Sequence, residues 1–250
     1  MLFQAHKGVE SECPENTFAA FKRAVCQGYD VIELDLAATK DKKIVVVHDS
    51  SINRCARNSD GSEIEKEIQV SQSTYNELLH YDFGIWFDKK YKGEKIPLFS
   101  DVLRYAKENG VRLKIDNKFE KFSHEELSVF YDLINDYRDC ISLTSQNVGR
   151  IKDYISRFPN ISIDYDGKIT EESLGELKNS VPKGKLTVWL PFECENTSWV
   201  TVDYISQALC DLVKQYANLG VWGMEKAEDF DFVKKTYSPY IIETNGNIKP

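Results

Sequence analysis

Short apolar runs with strand character alternate with helix-like runs almost from one end of this sequence to the other. Eight of the apolar runs are each separated from the next by helical material, and we predict them as strands. They cover residues 2–6, 31–39, 112–118, 141–145, 161–165, 186–190, 221–225 and 240–244. This alternation is typical of α/β proteins, and eight such units in 250 residues match the size of a closed (β/α)₈ TIM barrel. An open, doubly wound sheet is the alternative.

Two of the segments between predicted strands contain residues that typically begin or end a helix. Asn16 or Thr17 can cap the first helix, and Gly28 can end it. Ser123 and Glu126 have the spacing of a capping box, in which each side chain bonds to the backbone N–H of the other residue. We therefore predict helices after the first and third barrel strands.

One stretch interrupts the alternation. From residue 50 to about residue 97 the chain is polar and has no clear strand with a helical partner. Long segments of this kind in compact domains are usually functional covers. We predict a single domain over residues 1–250, with an insertion at about 50–97 over one end of the barrel.

The composition excludes several classes of partner. A net charge of -8 opposes binding to nucleic acid or to an anionic bilayer. The longest apolar runs are shorter than the roughly 20 residues of a membrane helix, and the opening MLFQAHKG lacks the pattern of a signal peptide. We expect a soluble, cytoplasmic protein, and a signal removed before this start would leave no trace here. The six cysteines form no CxxC pair, so we expect reduced thiols rather than a zinc site or disulfides.

Polar side chains occur near the ends of three predicted strands. His6 ends the first strand, and Asp116 lies near the end of the third. Glu33 and Asp35 are two residues apart on the second strand, so both point to the same face. Active sites of (β/α)₈ barrels lie at the C-terminal ends of the strands. These side chains are therefore candidates for a shared site.

A predicted hairpin brings a second histidine to the same place. Residues 44–48 form a further short apolar run, which we predict to pair with the end of the second strand. A two-residue turn at Asp41 and Lys42 would place Asp35 directly opposite His48, with Cβ atoms roughly 5 Å apart. A turn that is one residue longer would shift this pairing by one position.

Three converging carboxylates indicate a cation, because unpaired buried charges are costly. Glu33, Asp35 and Asp116 offer only oxygen ligands, which favours one Mg²⁺ or Ca²⁺ over zinc. The alternative for Asp116 is an ion pair with Lys114 or Lys118.

The same residues favour cleavage of a phosphoester. Lys118, on the same face as Asp116, offers a compact positive charge for a phosphate oxygen. Histidine is the side chain whose ordinary pKa lies near neutral pH, as that of a general acid or base must, so His6 and His48 are candidates for these roles. The residues do not indicate which histidine takes which role.

The sequence resembles the glycerophosphodiester phosphodiesterase family. The family signature usually reads HRG, PENT, an E-x-D strand, TKD and HD, followed by a tryptophan-containing segment and L-x-I-E-x-K. The matching residues are HKG (6–8), PENT (14–17), ELD (33–35), TKD (39–41), HD (48–49), WFDKKYKGEKIP (86–97) and LKIDNK (113–118). The stretch TVWL (187–190) resembles the strand in which the family has a site tryptophan, here Trp189.

This resemblance implies a TIM barrel that hydrolyses glycerophosphodiesters, which are small molecules, to glycerol 3-phosphate and an alcohol. It implies His6 and His48 as the acid and base. The implied ligands of the divalent cation are Glu33, Asp35 and Asp116, and the implied substrate-binding residues are Lys7, Lys118 and Trp189.

Three residues depart from the family pattern. Lys7 replaces an arginine and loses bidentate contact with phosphate. Asp116 replaces a glutamate and is one methylene shorter. Glu243 stands near the C-terminus where the family usually has a Thr-Asp pair. These departures leave substrate choice and cation affinity open.

Other interpretations of the same residues are available. His6 could cap a strand, His48 could end a hairpin, Glu33 and Asp35 could face solvent, Lys7 could be exposed, and Trp189 could be ordinary core. The residue set also resembles phospholipase D toxins and phosphatidylinositol-type phospholipases C. A barrel without catalytic activity that binds a phosphorylated ligand is the alternative from a different class.

Overall fold

Eight parallel strands close into a barrel in the computed structural model, which describes residues 1–192, 205–224 and 226–250. The barrel strands are β1 (Leu2–Ala5), β2 (Val31–Leu34), β5 (Arg112–Ile115), β6 (Ile141–Ser145), β7 (Ser162–Tyr165), β8 (Leu186–Pro191), β9 (Asn218–Trp222) and β10 (Ile241–Thr244). Each strand pairs with the next barrel strand in this order, and β10 pairs with β1. The predicted TIM barrel is confirmed.

Helices connect successive strands of the barrel. They are α1 (Phe18–Gln27), α2 (Tyr75–Leu78), α3 (Phe99–Asn109), α4 (His124–Ile134), α5 (Val148–Arg157), α6 (Glu171–Ser180), α7 (Gln207–Tyr216) and α8 (Ala227–Tyr237). Thr17 caps α1, and Gly28 ends that helix in the left-handed conformation at φ 83°. The predicted capping box of Ser123 and Glu126 is present at α4.

An antiparallel hairpin follows β2 and consists of β3 (Leu36–Ala38) and β4 (Ile44–Val46). Its turn is one residue longer than the two-residue turn at Asp41 and Lys42, so the predicted pairing of Asp35 with His48 is wrong by one position. Ala38 pairs with Ile44, and the backbone N–H of Val47 donates to the carbonyl of Asp35 at 3.0 Å. Lys42 takes the left-handed conformation at φ 60°, as a residue of a three-residue hairpin loop often does.

Three predicted barrel strands differ from the observed strands by more than one residue, and the other five by one residue at most. The strand predicted over residues 31–39 is interrupted at Asp35, and the strand predicted over 112–118 ends at Ile115. The strand predicted over 221–225 is β9, which begins at Asn218 because tertiary pairing prevails over the poor strand propensity of Asn218 and Gly220. Glu225, at the predicted end of that strand, and Cys194 lie outside the described residues.

The two largest of three apolar clusters among the described residues support the fold. The larger lies between the barrel strands and the surrounding helices, and includes Phe21, Phe99 and Phe130. The smaller cluster joins β4 to the segment at 50–97, since Val45 packs with Ile52, Val70 and Leu78 of that segment. The segment is therefore anchored on the hairpin by buried side chains.

No helix among the described residues is both long and apolar enough to cross a membrane.

Polar side chains meet inside the barrel. Lys114 on β5 lies 3.8 Å from Glu243 on β10, measured from Nζ to Oε2, and its Nζ lies 4.0 Å from the ring centroid of Trp189 on β8. These strands are not neighbours, so the contacts cross the barrel interior. The indole N–H of Trp189 donates to Asp164 at 2.7 Å. The interior thus presents charged groups beneath the C-terminal ends of the strands.

Candidate active site

The C-terminal ends of the strands surround a cleft with a volume of about 720 Å³. Glu33 is on β2, and Asp35 directly follows that strand. The other predicted site residues that line the cleft are His6, His48, Asp116, Lys118 and Trp189. The fold therefore brings together seven of the eight side chains that the sequence indicates, from positions up to 183 residues apart.

Glu33, Asp35 and Asp116 form a compact group of carboxylates. One ligand atom from each lies within 4.8 Å of the others, and the side chains of Glu33 and Asp35 are almost completely buried. Burial, followed by the charge of Asp35, raises the pKa of Glu33 to about 8. The same two causes raise the pKa of Asp116. The carboxylates therefore repel one another when they are ionised, and a cation bound between them would offset this repulsion.

Asp35 is held by two donors. The ammonium group of Lys118 lies 2.8 Å from its Oδ1, and the amide of Asn16 donates to its Oδ2 at 3.0 Å. Although burial opposes ionisation, the positive charge of Lys118 lowers the pKa of Asp35. The backbone N–H of Lys118 donates to Asp116 Oδ1 at 3.2 Å. The ammonium group instead reaches Asp35 and the carbonyl oxygen of His48, the latter at 2.8 Å.

His6 lies between carboxylates on both sides of its ring. Nδ1 is 2.5 Å from Glu10 Oε1, and Nε2 is 3.9 Å from Glu33 Oε2. Burial would lower the pKa of His6, but the hydrogen bond to Glu10 and the charges of Glu33 and Glu243 outweigh it and raise the pKa to about 10. His6 is therefore protonated at neutral pH in this arrangement.

His48 is paired with the next residue in the chain. Its Nδ1 lies 2.6 Å from Asp49 Oδ1, and the other carboxylate oxygen of Asp49 accepts from Arg54 Nε at 2.6 Å. With Nδ1–H donating to Asp49, Nε2 would be the nitrogen with a free lone pair.

Lys7 contacts the site through its backbone. Its N–H donates to Glu33 Oε2 at 3.0 Å, and its ammonium group lies 3.7 Å from Glu15 Oε1. Lys7 has a φ of 50°, and Gly8 follows it at φ +80°. A Cβ at Gly8 would lie 2.7 Å from the Cβ of Ala20, so glycine is needed for the loop to lie against α1. The ammonium group is thus directed toward a carboxylate rather than toward open solvent.

Trp189 is a buried core residue that also borders the candidate site. Its side chain is 1% exposed, as expected of a core residue, yet it lines the base of the cleft. Lys114 covers the indole ring from within the barrel. Both interpretations of Trp189 therefore describe part of its surroundings.

A family comparison agrees with this arrangement. The model of the glycerophosphoryl diester phosphodiesterase family matches residues 6–162, which is more than half of the chain. The chain belongs to this family. The match begins at His6 and includes every predicted site residue except Trp189, so the resemblance seen in the sequence motifs is confirmed.

Curated relatives in the family match about half of this chain. A glycerophosphodiester phosphodiesterase of Caldanaerobacter subterraneus subsp. tengcongensis is 39% identical over 117 residues, which cover 47% of this chain and 45% of that protein. A lysophospholipase D of Rattus norvegicus, GDPD1, is 35% identical over 117 residues, which cover 44% of this chain and 35% of that protein. The chain spans about half or less of the length of such relatives.

Solved structures match the whole fold. A phosphodiesterase of Oleispira antarctica, in complex with the product sn-glycerol-3-phosphate, has a TM-score of 0.75 at 16% identity. The match covers 98% of this chain and 93% of that chain. At this identity the similarity shows that the two proteins share the barrel fold.

Several residues of the site escaped the sequence analysis. Glu10 follows His6 by four residues in the sequence and contacts its ring. Asp166 directly follows β7 and lines the cleft. Burial raises the pKa of Asp166 to about 7. Its position at a strand end is the same signal that identified Asp116, so it could have been found. Arg54 lies in the polar segment at 50–97, where no local pattern distinguishes it.

Proposed function

We propose that this chain hydrolyses glycerophosphodiesters to glycerol 3-phosphate and an alcohol, with the help of one divalent cation. The observation that supports this best is the juxtaposition of three carboxylates, two histidines and Lys118 in one cleft of a chain from this family. The single-domain organisation over residues 1–250 and the cytoplasmic location stay predictions, as does the absence of a nucleic-acid partner.

Glu33, Asp35 and Asp116 would hold the cation. Their carboxylate oxygens lie close enough to share one ion, and hard oxygen ligands suit Mg²⁺ or Ca²⁺. The raised pKa values of Glu33 and Asp116 support this assignment, since a nearby positive charge would stabilise both ionised forms. When bound, the cation would stabilise the negative charge that builds up on the phosphate oxygens.

His6 and His48 would divide the proton transfers. Because its carboxylate neighbours keep His6 protonated, it suits the acid that gives a proton to the leaving alcohol. His48 would then be the base, accepting a proton at Nε2 while Nδ1 stays bonded to Asp49. The attacking group, either water or a substrate hydroxyl, would lose its proton to His48.

Two lysines and a tryptophan would bind the substrate. Lys118 lies beside the three carboxylates, in contact with Asp35, and would offer a positive charge to a phosphate oxygen. Lys7, in the loop that follows β1, would add a second positive charge, weakened by its proximity to Glu15. Trp189 lines the cleft beneath Lys114 and would support the substrate-binding side of the cleft from below.

The assay that tests this proposal uses purified chain, glycerophosphocholine and either Mg²⁺ or Ca²⁺. We expect equal amounts of glycerol 3-phosphate and choline, and we expect EDTA to abolish their release. Formation of phosphocholine and glycerol would show that the other phosphoester bond is cleaved, which contradicts the proposal. No release from any glycerophosphodiester with either cation would favour a barrel that only binds a phosphorylated ligand.

A lysophospholipid is the second candidate substrate. The similarity to a rat lysophospholipase D favours it, because the same chemistry would release choline from lysophosphatidylcholine. Comparing kcat/KM for glycerophosphocholine and lysophosphatidylcholine separates the two. We expect the ratio to favour glycerophosphocholine. The opposite preference would assign the chain to lysophospholipids.

A further inference from the structure

A chain of charged groups extends from His48 to the beginning of α1. Asp49 accepts from His48 with one oxygen and from Arg54 with the other, each at 2.6 Å. The two terminal nitrogens of Arg54 donate to Glu15 at 2.7 and 2.6 Å. All three guanidinium nitrogens are thus used. Arg54 joins two carboxylates that lie 34 residues apart in the sequence.

Only a guanidinium group can make this set of contacts. Its planar fork can bind one carboxylate through two nitrogens while the third nitrogen donates to another carboxylate. A lysine ammonium group is a point charge and cannot hold both carboxylates in fixed orientations. The side chain of Glu15 is 9% exposed and that of Asp49 is 29% exposed, so both are partly shielded from water. Their orientation therefore depends on Arg54.

We propose that Arg54 is a positioning residue for His48. By holding Oδ2 of Asp49, it directs Oδ1 toward the ring and keeps the proton of neutral His48 on Nδ1. Nε2 is then left free to accept a proton. Glu15 anchors Arg54 to the α1 end of the barrel, so the orientation of His48 is set jointly by the two segments. This inference rests on the proposed function, which assigns proton transfer to His48.

The exposure of Arg54 makes the inference testable without unfolding the protein. Its side chain is 46% exposed, so a shorter residue would leave a gap open to water rather than a buried cavity. We expect Arg54→Lys to retain the melting temperature within a few degrees. Arg57→Lys is the matched control, because Arg57 lies in the same segment and forms an ion pair with Glu63 at 3.1 Å.

The first measurement is steady-state hydrolysis of glycerophosphocholine. We expect Arg54→Lys to lower kcat by roughly 10- to 100-fold, the range found when a residue that orients a functional group is removed, with KM changed less than about twofold. We expect Arg57→Lys to keep both constants. An unchanged kcat in Arg54→Lys, with an active parent enzyme, would overturn the proposal.

The second measurement does not require activity. The chain has four histidines, so the imidazole nitrogen and proton signals in an NMR spectrum of ¹⁵N-histidine-labelled protein can be assigned with single His→Ala variants. At a pH where His48 is neutral, we expect it to be protonated at Nδ1 in the parent and in Arg57→Lys. Arg54→Lys should give a mixture of the two tautomers. An unchanged His48 signal in Arg54→Lys would overturn the proposal. If the parent hydrolyses nothing but the signal changes as expected, the positioning is supported and only the proposed function fails.

Discussion

At the scale of single residues, the carboxylates around His6 determine its chemistry. The hydrogen bond to Glu10 fixes one ring nitrogen and raises the pKa of His6, and the charges of Glu243 and of ionised Glu33 raise it further. A histidine in such surroundings keeps its proton at neutral pH and can donate it. Within the part of the chain that the structure describes, one carboxylate, that of Asp49, forms an ion pair with His48, so the two imidazoles are in different environments.

We expect His6→Ala and His48→Ala each to lower kcat for glycerophosphocholine by at least about 100-fold, because each removes a proton-transfer group. The stabilisation of the protein by the cation should persist in both variants, since the carboxylate ligands are unchanged. His80→Ala and His124→Ala are the controls, as both residues are exposed. Full activity of either site variant would refute the assignment of the acid and base pair.

Glu33 should release a proton when the cation binds. Its pKa of about 8 means that it is mostly protonated at pH 7, whereas a cation requires the ionised form. The apparent affinity should therefore rise with pH until about pH 8 and level off above it. Calorimetric titrations in buffers of different ionisation enthalpy measure the protons released. We expect close to one proton at pH 7 and close to none at pH 9, and equal numbers at both pH values would contradict this pKa.

The sequence predicted the residues whose spacing has a direct geometric meaning. Glu33 and Asp35 follow the two-residue period of a strand, and His6 and Asp116 lie where strands end. Glu10 and Arg54 could not be predicted in this way. Their contacts with His6 and Asp49 depend on how loops fold over the barrel end, which no periodic pattern records.

At the scale of elements, β9 makes room for Trp189 on β8. A Cβ at Gly220 would lie 2.6 Å from Cδ2 of the indole, which is closer than carbon atoms approach without repulsion. The glycine that obscured the start of β9 in the sequence therefore has a packing function. It allows the ring to lie against the neighbouring strand beneath Lys114.

We expect Gly220→Ala to lower the free energy of unfolding by about 1–3 kcal/mol, the usual cost of overpacking a core. Urea denaturation followed by tryptophan fluorescence measures this change. Gly175→Ala on α6 is the matched control, because its added Cβ would meet nothing within 4 Å. That substitution should stabilise the helix by roughly 0.5–1 kcal/mol. Equal stability of Gly220→Ala and the parent would show that Trp189 is packed differently.

The hairpin shows why register is harder to predict than the presence of strands. Two apolar runs around TKD were sufficient to predict β3 and β4, but the turn length depends on the conformation of one residue. Lys42 adopts a positive φ, although lysine is not a residue that usually indicates this conformation. A shift of one position changed the partner of Asp35 from His48 to Val47.

At the scale of the whole molecule, barrel closure is what brings the site together. The fold could be predicted because eight alternating units of this length have few other arrangements. The carboxylates of the site follow from it, since Glu33 on β2 and Asp116 after β5 belong to neighbouring strands. Binding a cation between two strands should therefore stabilise the native barrel and not only the site.

We expect Mg²⁺ or Ca²⁺ to raise the melting temperature of this protein. A ligand at a hundredfold excess over its dissociation constant stabilises the native state by about 2.7 kcal/mol. For a chain of this size that corresponds to a rise of roughly 5–10 °C in differential scanning calorimetry. Glu33→Gln should lose the rise because it removes a charged ligand, whereas Asp101→Asn on α3 should keep it. A rise of the same size in Glu33→Gln would mean that the cation binds elsewhere, since one of three ligands cannot be removed without loss of affinity.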